Sequence, residues 1–166
     1  MLCAMGAVLA SVIPADAESV SGRARLIDGD TLEVGGRMVR LFGIDAPEQD
    51  QTCVTEQGAE WACGAWVTAE VSGRFSGRQA HCTAVNTDRY GRTVARCKVA
   101  GQDMGREIVS AGLAFAYRRY SMDYDLDEKG AAIRDAGLHA SRVQSPSEFR
   151  QARTPGRMPP DRGCAI

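Results

Sequence analysis

The 166-residue chain is the size of one ordinary domain, and its 44% hydrophobic, 25% charged and 6% aromatic residues exclude collagen-like and disordered classes. No apolar run reaches the roughly 18–20 residues that cross a bilayer, and a net charge of −1 from 20 bases and 21 acids argues against holding polyanions by bulk charge alone. The bases are almost all arginine, Lys98 and Lys129 excepted, and the six cysteines are many for a cytosolic protein of this size.

Residues 1–17 read as an export signal. Met1 to Val12 are nearly all apolar or small, and Ala15-Asp16-Ala17 supplies an A-x-A cleavage site. The basic segment that usually opens such a signal is missing, so the expected start lies upstream. Cleavage removes Cys3 and leaves Cys53, Cys63, Cys82, Cys97 and Cys164 in an oxidising compartment, where disulfides form. Four cysteines allow three pairings. The favoured one is Cys53–Cys63 with Cys82–Cys97, the second joining two strands predicted to be neighbours. Zinc is a poor rival, because the gaps exceed C-x₂₋₄-C spacing. Cys164 is left over.

Ser19 to Asp28 reads as a first strand. Thr31–Val34 and Arg37–Ile44 flank Gly35-Gly36, a tight-hairpin signal. A helix is expected from about Glu56 to Val71, with Ala59, Ala62, Trp66 and Ala69 as its buried face and Gly73 as its stop. Gln79–Val85 and Thr93–Val99 are further strands, joined by Asn86 to Arg92. Asp103–Ala111 is a short helix ended by Gly112, Leu113–Tyr117 an extended piece, and Tyr124–Ala136 a third helix with Gly137 at its left-handed end. Residues 141–166, which include Arg150, Arg153, Arg157 and Arg162, read as a loosely held basic tail behind a domain over 18–140. Five short strands with an inserted helix and two more helices fit a small closed barrel, which leaves no exposed edge.

Three clusters carry chemistry. In Ile27-Asp28-Gly29-Asp30-Thr31, two carboxylates flank a glycine at a strand end, which is also ordinary turn composition. An EF-hand is excluded, since Glu33 stands where that loop needs glycine. In Arg40-Leu41-Phe42-Gly43-Ile44-Asp45-Ala46-Pro47-Glu48, an arginine sits in an apolar strand and needs a partner or a task. In Asp88-Arg89-Tyr90-Gly91-Arg92, a hairpin turn carries two arginines and a tyrosine. Together, Asp30 and Asp45 offer oxygen ligands for a hard cation such as calcium. Arg40 and Arg92 suit bidentate grip on a phosphate, and Glu48 could orient or deprotonate a water. That set matches phosphodiester hydrolysis, whose transition state adds negative charge to phosphoryl oxygens.

These stretches, IDGDT at 27–31, RLFGIDAPE at 40–48 and DRYGR at 88–92, resemble the staphylococcal nuclease family over about Val20 to Gly137, and in particular its exported, cysteine-containing bacterial members. The resemblance implies a five-stranded oligonucleotide-binding-fold (Greek-key) barrel with three helices. It also implies calcium-dependent cleavage of DNA and RNA to 3′-phosphate products; the protein is expected to act as a monomer. By the same resemblance Asp30 and Asp45 ligate calcium through side chains and Ala46 through its carbonyl. Glu48 is general base or water-orienting group, and Arg40 and Arg92 clamp the phosphate, with Arg92 near the leaving 5′-oxygen. Asp28 supports the ligands, while Arg89, Tyr90 and Tyr117 line the nucleotide pocket. One departure is Gly137-Leu138-His139, where the family usually has Gly-Leu-Trp. His139 and His81 read as packing or surface residues. Asp123-x-Asp125-x-Asp127 reads as a charged helix start, because Glu128 and Arg134 break the calcium-loop pattern. The competing reading is a non-catalytic nucleic-acid-binding barrel, which the near-neutral charge favours.

Overall fold

The computed structural model describes residues 18–153; the predicted export signal, Cys164 and the end of the predicted tail lie outside the described residues. In chain order the strands are β1 (Ser19–Leu26), β2 (Thr31–Val34), β3 (Arg37–Leu41), β4 (Ile44–Asp45), β5 (Cys53–Thr55) and β6 (Glu60–Trp61). Helix α1 (Cys63–Phe75) follows, then β7 (Gln79–Thr87), β8 (Thr93–Val99), β9 (Gln102–Asp103) and α2 (Met104–Ser110). The chain continues through β10 (Phe115–Ala116), α3 (Asp125–Ile133), a 3-10 turn (Gly137–Ala140), β11 (Ser141–Arg142) and α4 (Pro146–Ala152).

Alternation makes the barrel. Along β1 side chains alternate outward and inward, with Val20 and Ala24 buried. Gly35 and Gly36, at φ 56° and 79°, supply the two positive-φ positions that a two-residue hairpin demands. Neighbours β3–β2–β1–β7–β8 pair antiparallel, and β3 closes on β8 in parallel, Val39 opposite Thr93 through Leu41 opposite Ala95. The result is the expected oligonucleotide-binding-type five-stranded barrel. One buried cluster runs from the barrel strands into α1 and α2, including Leu32, Val39, Val67, Phe75 and Ile108. Two disulfides are present, Cys53–Cys63 and Cys82–Cys97, the second between directly opposed residues of β7 and β8.

Four expectations need correction. The first helix starts at Cys63, not near Glu56, because residues 53–61 form the β5–β6 hairpin, with β11 paired along the other side of β5. It also runs through Gly73 to Phe75, whose ring is 1% exposed and anchors the last turn. Its inward face is Cys63, Val67, Val71 and Phe75, while Ala59, Ala62 and Ala69 are exposed. The strand expected over Arg37–Ile44 breaks at Gly43, where φ is 78°. Helix α3 ends at Ile133. Asp135, at φ 49°, takes the helix-end place expected for Gly137, which is itself left-handed at φ 56° but lies two residues further on, and the N–H groups of Asp135 and Ala136 donate to the Ala132 and Ala131 carbonyls. Finally, residues 141–153 are a strand and a helix joined to the domain, so α4 is a fourth helix where a loose tail was expected.

Candidate active site

The first cluster forms a turn that aims one carboxylate. Oδ1 of Asp28 accepts the N–H groups of Asp30 (3.0 Å) and Thr31 (2.7 Å), so Asp28 shapes the turn. Gly29 lets it lie flat: a Cβ there would fall 2.6 Å from the Ala46 Cβ and 2.8 Å from Val67. Asp30 is 3% exposed. Its Oδ1 accepts from Thr31 Oγ1 (3.0 Å) and Arg40 Nη1 (2.9 Å), and its Oδ2 from the Ala46 N–H (3.1 Å). Burial pushes the Asp30 carboxyl up to about 7; Arg40 opposes this, while the charges of Asp28 and Asp45 add to it.

The second cluster bridges two strands. Arg40 stands opposite Thr31 across β2 and β3, and its Nη2 donates to Asp45 Oδ1 at 2.9 Å. Burial disfavours the Arg40 charge, yet Asp30 and Asp45 outweigh that and hold its pKa above the ordinary value. The backbone of Asp45 is held by pairing with Phe115 on β10. Beyond Pro47, the Glu48 loop closes on itself: the Gln51 N–H donates to the Glu48 carbonyl (2.9 Å), and the Glu48 N–H to Gln51 Oε1 (3.3 Å). Gln51 is fully buried and its Nε2 donates to the Gln144 carbonyl at 2.7 Å. Sequence reasoning missed Gln51, because a polar residue between Asp50 and Thr52 gives no sign of burial.

The third cluster is the β7–β8 hairpin tip. Asp88 accepts from the Tyr90 and Arg92 N–H groups (2.9 and 3.0 Å) and from Arg92 Nε (2.7 Å). Arg92 Nη1 reaches Thr31 Oγ1 at 3.4 Å, which brings this tip against the Asp30 turn. The guanidinium of Arg89 lies 4.8 Å from the Tyr90 ring centre and that of Arg92 5.5 Å. Tyr117 donates its N–H to the Gly43 carbonyl (2.8 Å) and sets its ring edge-on to Tyr120. Asp28, Asp30, Arg40, Ala46, Glu48, Arg89, Tyr90, Arg92 and Tyr117 all line one cleft of about 1080 Å³. Asp45 lies behind its wall, joined to it through Arg40.

Helix α4 adds an arginine to this cleft that sequence reasoning assigned to the tail. Arg150 Nη2 donates to both oxygens of Asp45 (3.0 Å each), and Nη1 to Glu48 Oε1 (2.8 Å). Burial works against the Arg150 charge, but the hydrogen bonds to Asp45 and Glu48 prevail and raise its pKa above the ordinary value. The helix itself had a readable signal. Ser145 caps it by accepting from the Glu148 N–H, with Pro146 at the start. Nothing local shows where Arg150 points, since Asp45 is 105 residues away.

Among the described residues, no group of three or more His, Cys, Asp and Glu side chains is placed to hold a metal ion. The donors at hand are the Asp30 and Asp45 carboxylates, both 3% exposed. Such oxygen donors, crowded by further acids, fit a hard cation completed by backbone carbonyl and water. The remaining candidates lie elsewhere. His81 Nδ1 is 2.9 Å from Ser21 Oγ at an exposed site, and His139 sits edge-on to Phe115. At the start of α3, Asp123, Asp125 and Asp127 are paired with Arg96, with Arg118 and Lys129, and with Arg106.

The model of the staphylococcal nuclease homologue family matches residues 38–140. Micrococcal nuclease of Shigella flexneri is 30% identical, with 91% of this chain and 94% of that one aligned. Succinoglycan biosynthesis protein ExoI of Rhizobium meliloti is 37% identical over 76% of this chain, and an uncharacterized endonuclease of Escherichia coli O157:H7 is 32% identical over 63%. The chain spans 65% of the length of each of these last two relatives. With the barrel, the three motifs and a family match over most of the described domain, the chain belongs to the staphylococcal nuclease family.

Proposed function

We propose that the protein is an exported, calcium-dependent nuclease that hydrolyses DNA and RNA to 3′-phosphate products and works as a monomer. The observation that carries this reading is the convergence of two buried carboxylates, Asp30 and Asp45, on Arg40, 2.9 Å from each, with Asp30 and Arg40 lining a cleft shared with Glu48 and Arg92 and Asp45 just behind its wall. Asp30, Asp45 and the Ala46 carbonyl would hold calcium, which when bound supplies positive charge to a phosphoryl oxygen. Glu48 orients a water or takes its proton for attack on phosphorus. Arg40 and Arg92 donate to the phosphoryl oxygens, whose charge grows in the transition state. Departure of the 5′-oxygen, beside Arg92, leaves the phosphate on the 3′ side. Arg89, Tyr90 and Tyr117 line the cleft where a nucleotide would lie. The two disulfides support an oxidising compartment, and among the described residues no helix is long and apolar enough to cross a membrane.

Digestion of DNA and RNA with calcium and with a chelator tests the proposal. Cleavage should require calcium, leave 3′-phosphate ends, and fall by orders of magnitude in Arg40→Ala, Glu48→Ala and Arg92→Ala. Equal digestion with chelator, or full turnover in all three variants, would overturn it. Tight calcium-independent binding of single strands without cleavage would favour a binding module on the same barrel.

A further inference from the structure

We infer that Arg150 is an internal counter-ion of the proposed metal site, holding Asp45 and Glu48 in place of a divalent cation and competing with it. The inference rests on the reading of Asp45 as a calcium ligand and adds to it a residue that lies beyond the 38–140 family match.

Two guanidiniums share one buried carboxylate. Asp45 Oδ1 accepts from Arg40 at 2.9 Å and from Arg150 at 3.0 Å, and Asp45 Oδ2 from Arg150 at 3.0 Å. The charge of Arg150 works against that of Arg40, and the crowding is sustained only by the surrounding acids. A cation seated on Asp45 would place two further positive charges within a few ångströms of Arg150. It would also need the oxygens that Arg150 already uses. The two occupants therefore exclude each other. Arg150 is the one able to leave: its side chain is 37% exposed against 19% for Arg40, and it extends from a short helix, whereas Arg40 is set in the barrel wall. The same guanidinium occupies Glu48 Oε1 at 2.8 Å, so its departure also frees the carboxylate proposed to handle the water. Helix α4 is thus a latch that couples cation binding to release of Glu48.

Calcium titration by calorimetry, on the full chain without nucleic acid, tests this. Removing one positive charge beside a divalent ion should tighten binding about tenfold or more in Arg150→Gln, even at a dielectric close to that of water. Arg150→Lys keeps the charge but loses the fork that holds both carboxylates, so it should tighten calcium binding clearly less than Arg150→Gln. If Arg150→Gln binds calcium no more tightly than wild type, or Arg150→Lys gains as much as Arg150→Gln, charge competition is wrong while the metal site stands. If neither wild type nor variant binds calcium, the metal-site reading falls and this inference with it. Should Arg150→Gln fail to fold, the wild type alone decides by NMR. Its Arg150 guanidinium signals should shift on saturation with calcium, and unchanged signals would overturn the latch.

Discussion

Gly64 sits where α1 meets the loop that carries Glu48, and the structure leaves no room there for a side chain. A Cβ on Gly64 would lie 1.8 Å from the Glu48 carbonyl oxygen and 2.8 Å from its carbonyl carbon. Restoring ordinary contact would push the Glu48 loop back by roughly 1.7 Å, since non-bonded atoms settle near 3.5 Å. Helix preference alone would favour alanine over glycine by about 0.5–1 kcal/mol. Overpacking against backbone costs about 1–3 kcal/mol, which no rotamer change can relieve here. Gly64→Ala should therefore destabilise by up to about 2.5 kcal/mol net, and a Glu48 displaced by more than 1 Å should lose about 100-fold in rate. Gly73 on the same helix is exposed, with nothing within 4 Å of an added Cβ. The identical change there should stabilise by about 0.5–1 kcal/mol and leave the rate alone. Urea unfolding midpoints and initial rates of DNA digestion measure both. The reasoning is refuted if Gly64→Ala is as stable and as fast as Gly73→Ala.

Two further outcomes follow from the hairpin of β7 and β8. The Cys82–Cys97 bridge closes a 15-residue separation, so the double Cys→Ala variant should lose about 2–4 kcal/mol by thermal or urea unfolding; a loss under about 0.5 kcal/mol would show that the paired strands alone hold the register. At the tip, burial raises the Asp88 carboxyl, but hydrogen bonds from the Arg92 side chain and the Arg92 and Tyr90 N–H groups outweigh it and hold the pKa below the ordinary range. A depressed folded-state pKa gives stability that is present above the unfolded value, near 3.9, and is lost as pH falls through the folded one. The stability advantage of wild type over Asp88→Asn should thus be full at pH 7 and shrink as pH falls below the unfolded value of about 3.9 and through the lower folded one. An advantage that does not shrink on acidification would mean that the carboxylate charge is not what holds the turn.

The legible parts of this protein are those whose cause is local in the chain. Alternation in β1, the paired glycines between β2 and β3, and the short helix beginning at Asp103, whose carboxylate accepts the Arg106 N–H, all act over a few residues. The step from Arg40 to Asp45 to Glu48 was readable for the same reason, because two short strands interrupted at Gly43 and a stiff Pro47 turn carry all three. The start of α1 was not. Residues 56–62 have helix-compatible composition, and the Cys53–Cys63 bridge together with β11 on the far side of β5 turns the segment into a hairpin. Similarly, α3 ends early because Asp135 accepts a left-handed conformation, and Gly137, left-handed as expected, is instead packed against Gly112, whose carbonyl oxygen would lie 2.5 Å from an added Cβ.

The sequence by itself determined the strand alternation, the hairpin turns and the three motifs, since period-two burial and turn chemistry are properties of adjacent residues, whereas the favoured disulfide pairing, one of three allowed, was decided by the fold. Only the tertiary structure decided what faces those motifs. Gln51 is spent on the Gln144 carbonyl and Arg150 on Asp45 and Glu48, across 93 to 105 residues of chain. A guanidinium in a Pro- and Arg-rich stretch looks like a solvated charge until folding sets it beside two carboxylates. The near-neutral charge takes on meaning in the same way, with acids and arginines concentrated in one cleft where each limits what the other can bind.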